Sequence, residues 1–360
     1  MSSRQYAALP DPFAMHRGGV LRGARIAWES WGTLSPAKDN AILLFTGLSP
    51  SAHAAASAAD PSPGWWDPIL GPGLAIDTQR YFVIAVNSLG SCFGSTGPAS
   101  TNPATGKTYR LDFPELAVED IANGGYEVLR SLGIERAHTV IGPSLGGMVV
   151  LAFAAQHPGV ARQLVSISGS IASSPFAIAL RSLQREAILA DPAWQAGQYA
   201  PDAPPRNGLR LARKLGTITY RSAGEWDQRF GRERIPGAPQ EANSFAHEFQ
   251  VESYLEAQAE KFVAAFDANC YLYLSRAMDR FELETLPTAC VQRALVIGVT
   301  TDILFPIGDQ RRIARALERS GAATELVEMP SIEGHDAFLV DIPRFSVAIR
   351  DFLRMSSSSP

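Results

Sequence analysis

The 360-residue chain is poor in cysteine, with three, and in histidine, with six. Cys92, Cys270 and Cys290 have no metal-ligand spacing and leave an odd thiol, which reads as a reducing, cytoplasmic compartment and no metal. No apolar stretch approaches the ~20 residues that a membrane span needs. Residues 1–19 lack the apolar run of a signal peptide. A net charge of −4 lacks the basic excess expected of a nucleic-acid or anionic-membrane binder. It leaves room for an anionic substrate held by local arginines. Internal repeats and low-complexity tracts are also missing, and residues 356–360 read as a short, frayed polar end. What remains is an ordinary soluble composition, 46% hydrophobic and 19% charged, long enough for one large core or a core with a sizeable insertion.

Strand-like apolar runs recur at 25–31, 41–46, 82–87, 138–141 and 164–168, with helix-like segments at 115–132 and 146–156. The alternation returns near the end: strand 294–298, helix 308–320, strand 325–328 and helix 337–354. Such a pattern predicts an α/β fold with a mostly parallel sheet covered by helices on both faces. Between about 172 and 288 strands disappear. Helix-like stretches at 175–190, 208–217, 251–266 and 269–280 take over, separated by Pro- and Gly-rich patches at 202–208 and 236–240. Residues 1–171 and 289–360 are therefore expected to form one core, with 172–288 as an inserted helical lid over the strand ends. The alternative is a second independent domain, but the sheet needs both flanks to complete its pattern.

Residues 140–148 run as an apolar strand into a G-x-S-x-G turn at Gly142, Ser144 and Gly146, followed by a helix-like segment. A strand–elbow–helix of this kind holds a serine hydroxyl at the mouth of a parallel sheet. By itself the pentapeptide is weak, because a glycine-rich turn can carry a bystander serine. A serine nucleophile needs a base and a group that orients the base, and in this fold they follow in the order Ser, acid, His. His335 lies between the last strand and the last helix, where the base belongs. His53 precedes the serine; His138 and His157 flank a strand and a helix end; His16 and His247 have no link to the sheet's C-terminal edge. Asp302 follows strand 294–298, one unit before the histidine, although an aspartate there is also a common turn cap. The backbone N–H groups of Leu145 and of Leu48, in the Gly47-Leu48-Ser49-Pro50 loop, are the candidate oxyanion donors. These residues imply acyl transfer through an acyl-serine and leave open whether water or another nucleophile takes the acyl group.

Further stretches resemble the homoserine O-acyltransferases and their serine-acylating relatives. They are Gly64-Trp65-Trp66, Gly71-Pro72-Gly73, Leu89 to Pro98, Leu183-Gln184-Arg185-Glu186-Ala187-Ile188, Ala212-Arg213-Lys214-Leu215-Gly216, Thr219-Tyr220-Arg221-Ser222 and Gly334-His335-Asp336-Ala337-Phe338-Leu339. The resemblance spans nearly the whole chain. It implies an α/β-hydrolase fold and a ping-pong transferase that takes an acyl group from acyl-CoA and passes it to an amino-acid hydroxyl. Ser144, Asp302 and His335 match the family triad; Arg213, Asp336 and Tyr220 match positions that bind the acceptor. A guanidinium suits an α-carboxylate and a carboxylate suits an α-ammonium. Read structurally, Arg213 is a helix-surface charge and Asp336 a helix cap. CoA esters are substrates in this family, so no cofactor is implied, and the family's pairing through helical lids implies a homodimer.

Within the resemblance, Gly47, Leu48, Ser49 and Pro50 are similar to the serine-acylating branch, where proline replaces a glycine usual in homoserine-using members. Proline fixes φ and stiffens the loop, which suits the shorter acceptor L-serine; an ordinary turn proline is the alternative. Arg181 stands where acetyl-using members tend to have a neutral residue, and an added guanidinium suits the terminal carboxylate of succinyl-CoA. The alternative is a surface arginine on an amphipathic helix. The resulting expectation is succinyl transfer to L-serine, in cysteine biosynthesis. Homoserine as acceptor, acetyl-CoA as donor, or plain ester hydrolysis are the competing outcomes.

Overall fold

A computed structural model describes residues 4–236 and 245–355. The tail 356–360 and most of the 236–240 patch lie outside the described residues. Eight strands form one sheet: β1 Gln5–Ala8, β2 Arg25–Trp31, β3 Ala41–Phe45, β4 Phe82–Val86, β5 Ala137–Pro143, β6 Ala161–Ile167, β7 Arg293–Val299 and β8 Ala323–Met329. Their spatial order is β1-β2-β4-β3-β5-β6-β7-β8. Pairing is parallel from β4 through β8, and antiparallel only for β1 with β2 and β2 with β4. β1 escapes the sequence pattern because only one of its four side chains is buried.

The central strands are buried on both faces, so their side chains alternate between two apolar layers rather than between core and water. Leu43, Phe45, Val140 and Val296 point into one layer. Ile42, Leu44, Ile141, Val165 and Ile297 point into the other. Helices α1 Val118–Ser131 and α2 Leu145–Gln156 cover the first face. α2 is buried from Leu145 to Ala154, which fits a helix that is apolar all round. Helix α1 starts three residues later than the 115–132 expected, because Asp120 turns back to accept the Ala117 N–H at 2.8 Å and closes the first turn there.

Among the described residues between β6 and β7 lie five α-helices: α3 Pro175–Leu189, α4 Arg206–Thr219, α5 Ala223–Phe230, α6 Gln250–Val263 and α7 Ala268–Arg280. Sequence periodicity misses α5, which is only eight residues long and buries a single residue, Glu225. Gln184 of α3 donates to the Ala212 carbonyl of α4 at 3.1 Å. Glu256 of α6 pairs with Arg210 of α4 at 2.6 Å and with Lys214. The chain returns through α8 Ile307–Arg319 to β8. The last helix is not the continuous 337–354 expected: it divides into α9 Ala337–Val340 and α10 Ile342–Met355 at Asp341. Pro343 has no N–H to give the Leu339 carbonyl four residues back, so one helix cannot run through it, and it stands instead in the first turn of α10. Among the described residues no helix is long and apolar enough to cross a membrane.

Candidate active site

Ser144 occupies the turn between β5 and α2 with φ 57° and ψ −119°, outside the regions ordinarily open to a residue with a side chain. Its N–H is held by the Ile167 carbonyl of β6 at 2.8 Å. Glycine is required two residues on: a Cβ at Gly146 would lie 2.4 Å from the Phe45 carbonyl oxygen at the end of β3. The elbow therefore sits directly against the start of the loop that carries Gly47 and Leu48.

His335 Nε2 is 2.8 Å from Ser144 Oγ, and His335 Nδ1 is 2.7 Å from Asp302 Oδ2. The other oxygen of Asp302 accepts the N–H groups of Leu304 and Phe305, each at 2.9 Å. Asp302 is 3% exposed and His335 4%. Three residues separated by up to 191 positions thus form one hydrogen-bonded line, with the hydroxyl at its open end. Phe305 stacks on the imidazole at 5.0 Å between centroids. Burial alone depresses the imidazole pKa, but the charge and hydrogen bond of Asp302, helped by Asp336, outweigh it and leave the pKa above the ordinary value.

Two of the other histidines are engaged elsewhere. His157 bonds Asn123 at 2.8 Å and stacks on Tyr126, and burial pushes its pKa down to about 4. His53 pairs with Glu29 at 2.8 Å.

A narrow cavity of about 40 Å³ opens over Ser144 and His335. Leu48 lines it from the β3 loop, Arg181 from α3, Tyr220 from the end of α4, and Tyr271 and Met278 from α7. Pro50 packs by the same gap as the nucleophile: a Cβ at Gly47 would lie 3.7 Å from Pro50 Cδ and 4.0 Å from Ser144 Cβ.

Arg181 is no surface residue. It is 6% exposed, with Nε 2.5 Å from Asp279 Oδ1 and Nη2 donating to Ser173 Oγ at 2.6 Å. Asp279 also receives Arg185 at 2.6 Å, so two buried guanidiniums share one carboxylate. One positive charge is left in excess beside the cavity. Sequence reading missed Asp279, 98 positions from Arg181. The only trace is that 181 and 185, four apart, share a helix face and require a partner from another element.

Arg213 is half-buried, with its guanidinium 4.7 Å from the Phe262 ring centroid and 5.3 Å from that of Tyr220. Nη1 donates to Ser49 Oγ at 3.1 Å, while the buried Nε has no hydrogen-bond partner. A helix-surface charge would not be held in this way. Asp336 stands at the N-cap of α9, but its side chain makes no capping bond. Instead its Oδ2 lies 3.4 Å from Arg221 Nε. Burial raises the Asp336 pKa, and Arg221, His335 and Arg213 pull against that rise. Sequence reading also left Arg221 without a role.

The model of the alpha/beta hydrolase fold matches residues 40–341. A serine O-succinyltransferase of Litchfieldella anticariensis is 58% identical over 99% of each chain. The solved homoserine O-acetyltransferase of Bacillus anthracis superposes with a TM-score of 0.88 at 28% identity, over 97% of each chain. A solved esterase superposes with a TM-score of 0.87 at 31% identity, over 97% of this chain and 99% of its own. The chain belongs to the α/β-hydrolase family and, within it, to the family of the serine O-succinyltransferases.

Proposed function

We propose that this protein moves a succinyl group from succinyl-CoA to the hydroxyl of L-serine through an acyl-Ser144 intermediate. The single observation that carries the reading is the hydrogen-bonded line of Ser144, His335 and Asp302 at the foot of a cavity whose wall contains the buried Arg181. The serine O-succinyltransferase 58% identical over 99% of each chain supports the same substrate pair.

His335 Nε2 takes the Ser144 proton as Oγ attacks the thioester carbonyl, and Asp302 fixes the tautomer and stabilises the imidazolium. Charge developing on the carbonyl oxygen is met by the N–H groups of Leu48 and Leu145. The CoA thiolate leaves and takes the proton. The acceptor hydroxyl then gives its proton to His335 and attacks the acyl carbon, and Ser144 leaves with the proton returned to it. Arg213, with a free Nε, grips the α-carboxylate; Asp336 takes the α-ammonium; Tyr220 borders both. Arg181 pairs with the terminal carboxylate of the succinyl group, and the excess positive charge beside the cavity suits that role. Gly47, Leu48, Ser49 and Pro50 shape the acceptor end. No metal or dissociable cofactor takes part in this scheme.

Residues 172–288 act as a lid on the core formed by 1–171 and 289–360, and their side chains, with Leu48, wall the cavity over Ser144. The apolar side chains of Phe176 and Leu183 on α3, and Leu211 and Ile218 on α4, are exposed and suit pairing of two chains through these helices. An O-succinylserine product places the enzyme in cysteine biosynthesis, and a cytoplasmic location follows from its substrates.

The superposable esterase gives hydrolysis a footing as a second reading, in which water takes the acyl group. Purified protein assayed with serine or homoserine, each with succinyl-CoA or acetyl-CoA, separates the two. The expected outcome is acceptor-dependent CoA release with O-succinylserine as the dominant product. Rapid CoA release without acceptor would move the protein to the hydrolases, and dominant O-acylhomoserine would overturn the acceptor assignment.

A further inference from the structure

The turn that carries His335 and Asp336 is not held by the sheet alone. The Tyr220 carbonyl, at the end of α4, accepts the Asp336 N–H at 3.0 Å. Ser222 Oγ, at the start of α5, donates to the Ile332 carbonyl. Contact between the two segments is so close that a Cβ at Gly334, whose φ is +68°, would lie 2.8 Å from the Ser222 nitrogen. The helical region therefore grips this turn through a three-residue splice, and Arg221 is its centre. Its guanidinium lies 2.7 Å from Glu333, 3.4 Å from Asp336 and 3.7 Å from Glu225, with the side chain 12% exposed.

One guanidinium among three carboxylates has two consequences. It fixes the direction of the Asp336 carboxylate, and it leaves the cluster with more negative than positive charge, so a further cation is attracted rather than repelled. Arg229 relieves only the Glu225 side, at 3.5 Å. We propose that Arg221 is a positioning residue for the acceptor half-reaction, holding Asp336 aimed and paired so that it receives the α-ammonium of the incoming amino acid. This rests on the acyltransferase reading above. Arg221 touches neither the acyl group nor Ser144; it acts through Asp336.

Burial favours the neutral form of Asp336, and Arg221 is the strongest opposing charge, ahead of His335 and Arg213, while Asp302 works in the same direction as burial. Glu333, the other carboxylate on the turn, is already bonded to Arg221. Without the guanidinium Asp336 protonates at higher pH, and a protonated Asp336 cannot pair with an ammonium.

Two measurements on the full chain isolate this role: the CoA burst from succinyl-CoA without acceptor, and steady-state kinetics in serine between pH 6 and 8.5. In Arg221→Gln the burst should keep its rate and amplitude within about twofold. KM for serine should rise about tenfold, the loss expected for a charge-assisted contact, and rise further as the pH falls. Arg221→Lys should recover part of the loss. The burst amplitude counts correctly folded sites, so a misfolded fraction cannot imitate the result. Burst and acceptor step falling together, or an unchanged KM for serine, would overturn the proposal. A wild-type enzyme with no CoA burst and no acylserine would instead remove the acyltransferase reading beneath it.

Discussion

The strand-end loops and the helices between β6 and β7 meet in one cavity but hold their charges differently. On the strand side one buried carboxylate, Asp302, serves one histidine and two backbone N–H groups, and each polar atom has a short, local task. On the helical side charges are shared: Asp279 lies between Arg181 and Arg185, and Arg221, in the link between α4 and α5, lies among Glu225 and the strand-end carboxylates Glu333 and Asp336. The first arrangement suits proton movement at a fixed point, and the second leaves spare charge for a ligand. Chemistry should therefore depend on the strand side and choice of substrate on the helical side.

Breaking the strand side should cost most. Ser144→Ala should lower kcat by about 10⁴-fold or more and abolish the acyl-enzyme. Asp302→Asn should approach the same loss, because the imidazole then favours the wrong tautomer, and burst kinetics will register it. On the helical side Arg181→Ala should reduce kcat/KM for succinyl-CoA about 10- to 100-fold and leave acetyl-CoA within a few fold. Equal losses for both donors would erase the contrast between the two sides.

A pH profile sharpens the same contrast. The His335 pKa is raised, and the base must be neutral to act, so kcat/KM should fall as pH drops through a midpoint above the ordinary ~6.5. Arg181→Ala, which removes a positive charge that opposes the imidazolium, should move that midpoint slightly up, while Asp302→Asn should lower it. The smallest effect belongs to the loop. Pro50→Gly should change the serine-to-homoserine ratio by about tenfold at most, the low end of the ~1–3 kcal/mol that a methylene carries, because it alters the backbone of the loop and removes no polar contact.

Which parts of the molecule were legible in the sequence follows the same division. Ser144, Asp302 and His335 could be placed because each follows a strand in a fixed order, so topology alone puts them at one edge. The parallel strands were legible from continuous apolar runs. The edge strand β1, with one buried side chain, and α5, with one buried residue, were not. The roles of Asp279 and Arg221 were invisible for another reason. Each depends on how the helical segments pack, and an aspartate on α7 or an arginine in the link between α4 and α5 has the same sequence signature whether it faces a partner or water. The break at Asp341 has its sequence mark in Pro343.

The central claim is that the strand side forms the acyl-serine and the helical side selects its acyl group. The most direct test is to expose the protein to equal succinyl-CoA and acetyl-CoA without acceptor, quench, and map the modified peptide by mass. The account predicts one succinyl group on Ser144 in the wild type and a shift toward acetyl in Arg181→Ala. No adduct on Ser144, or the same acyl ratio in both proteins, would contradict it.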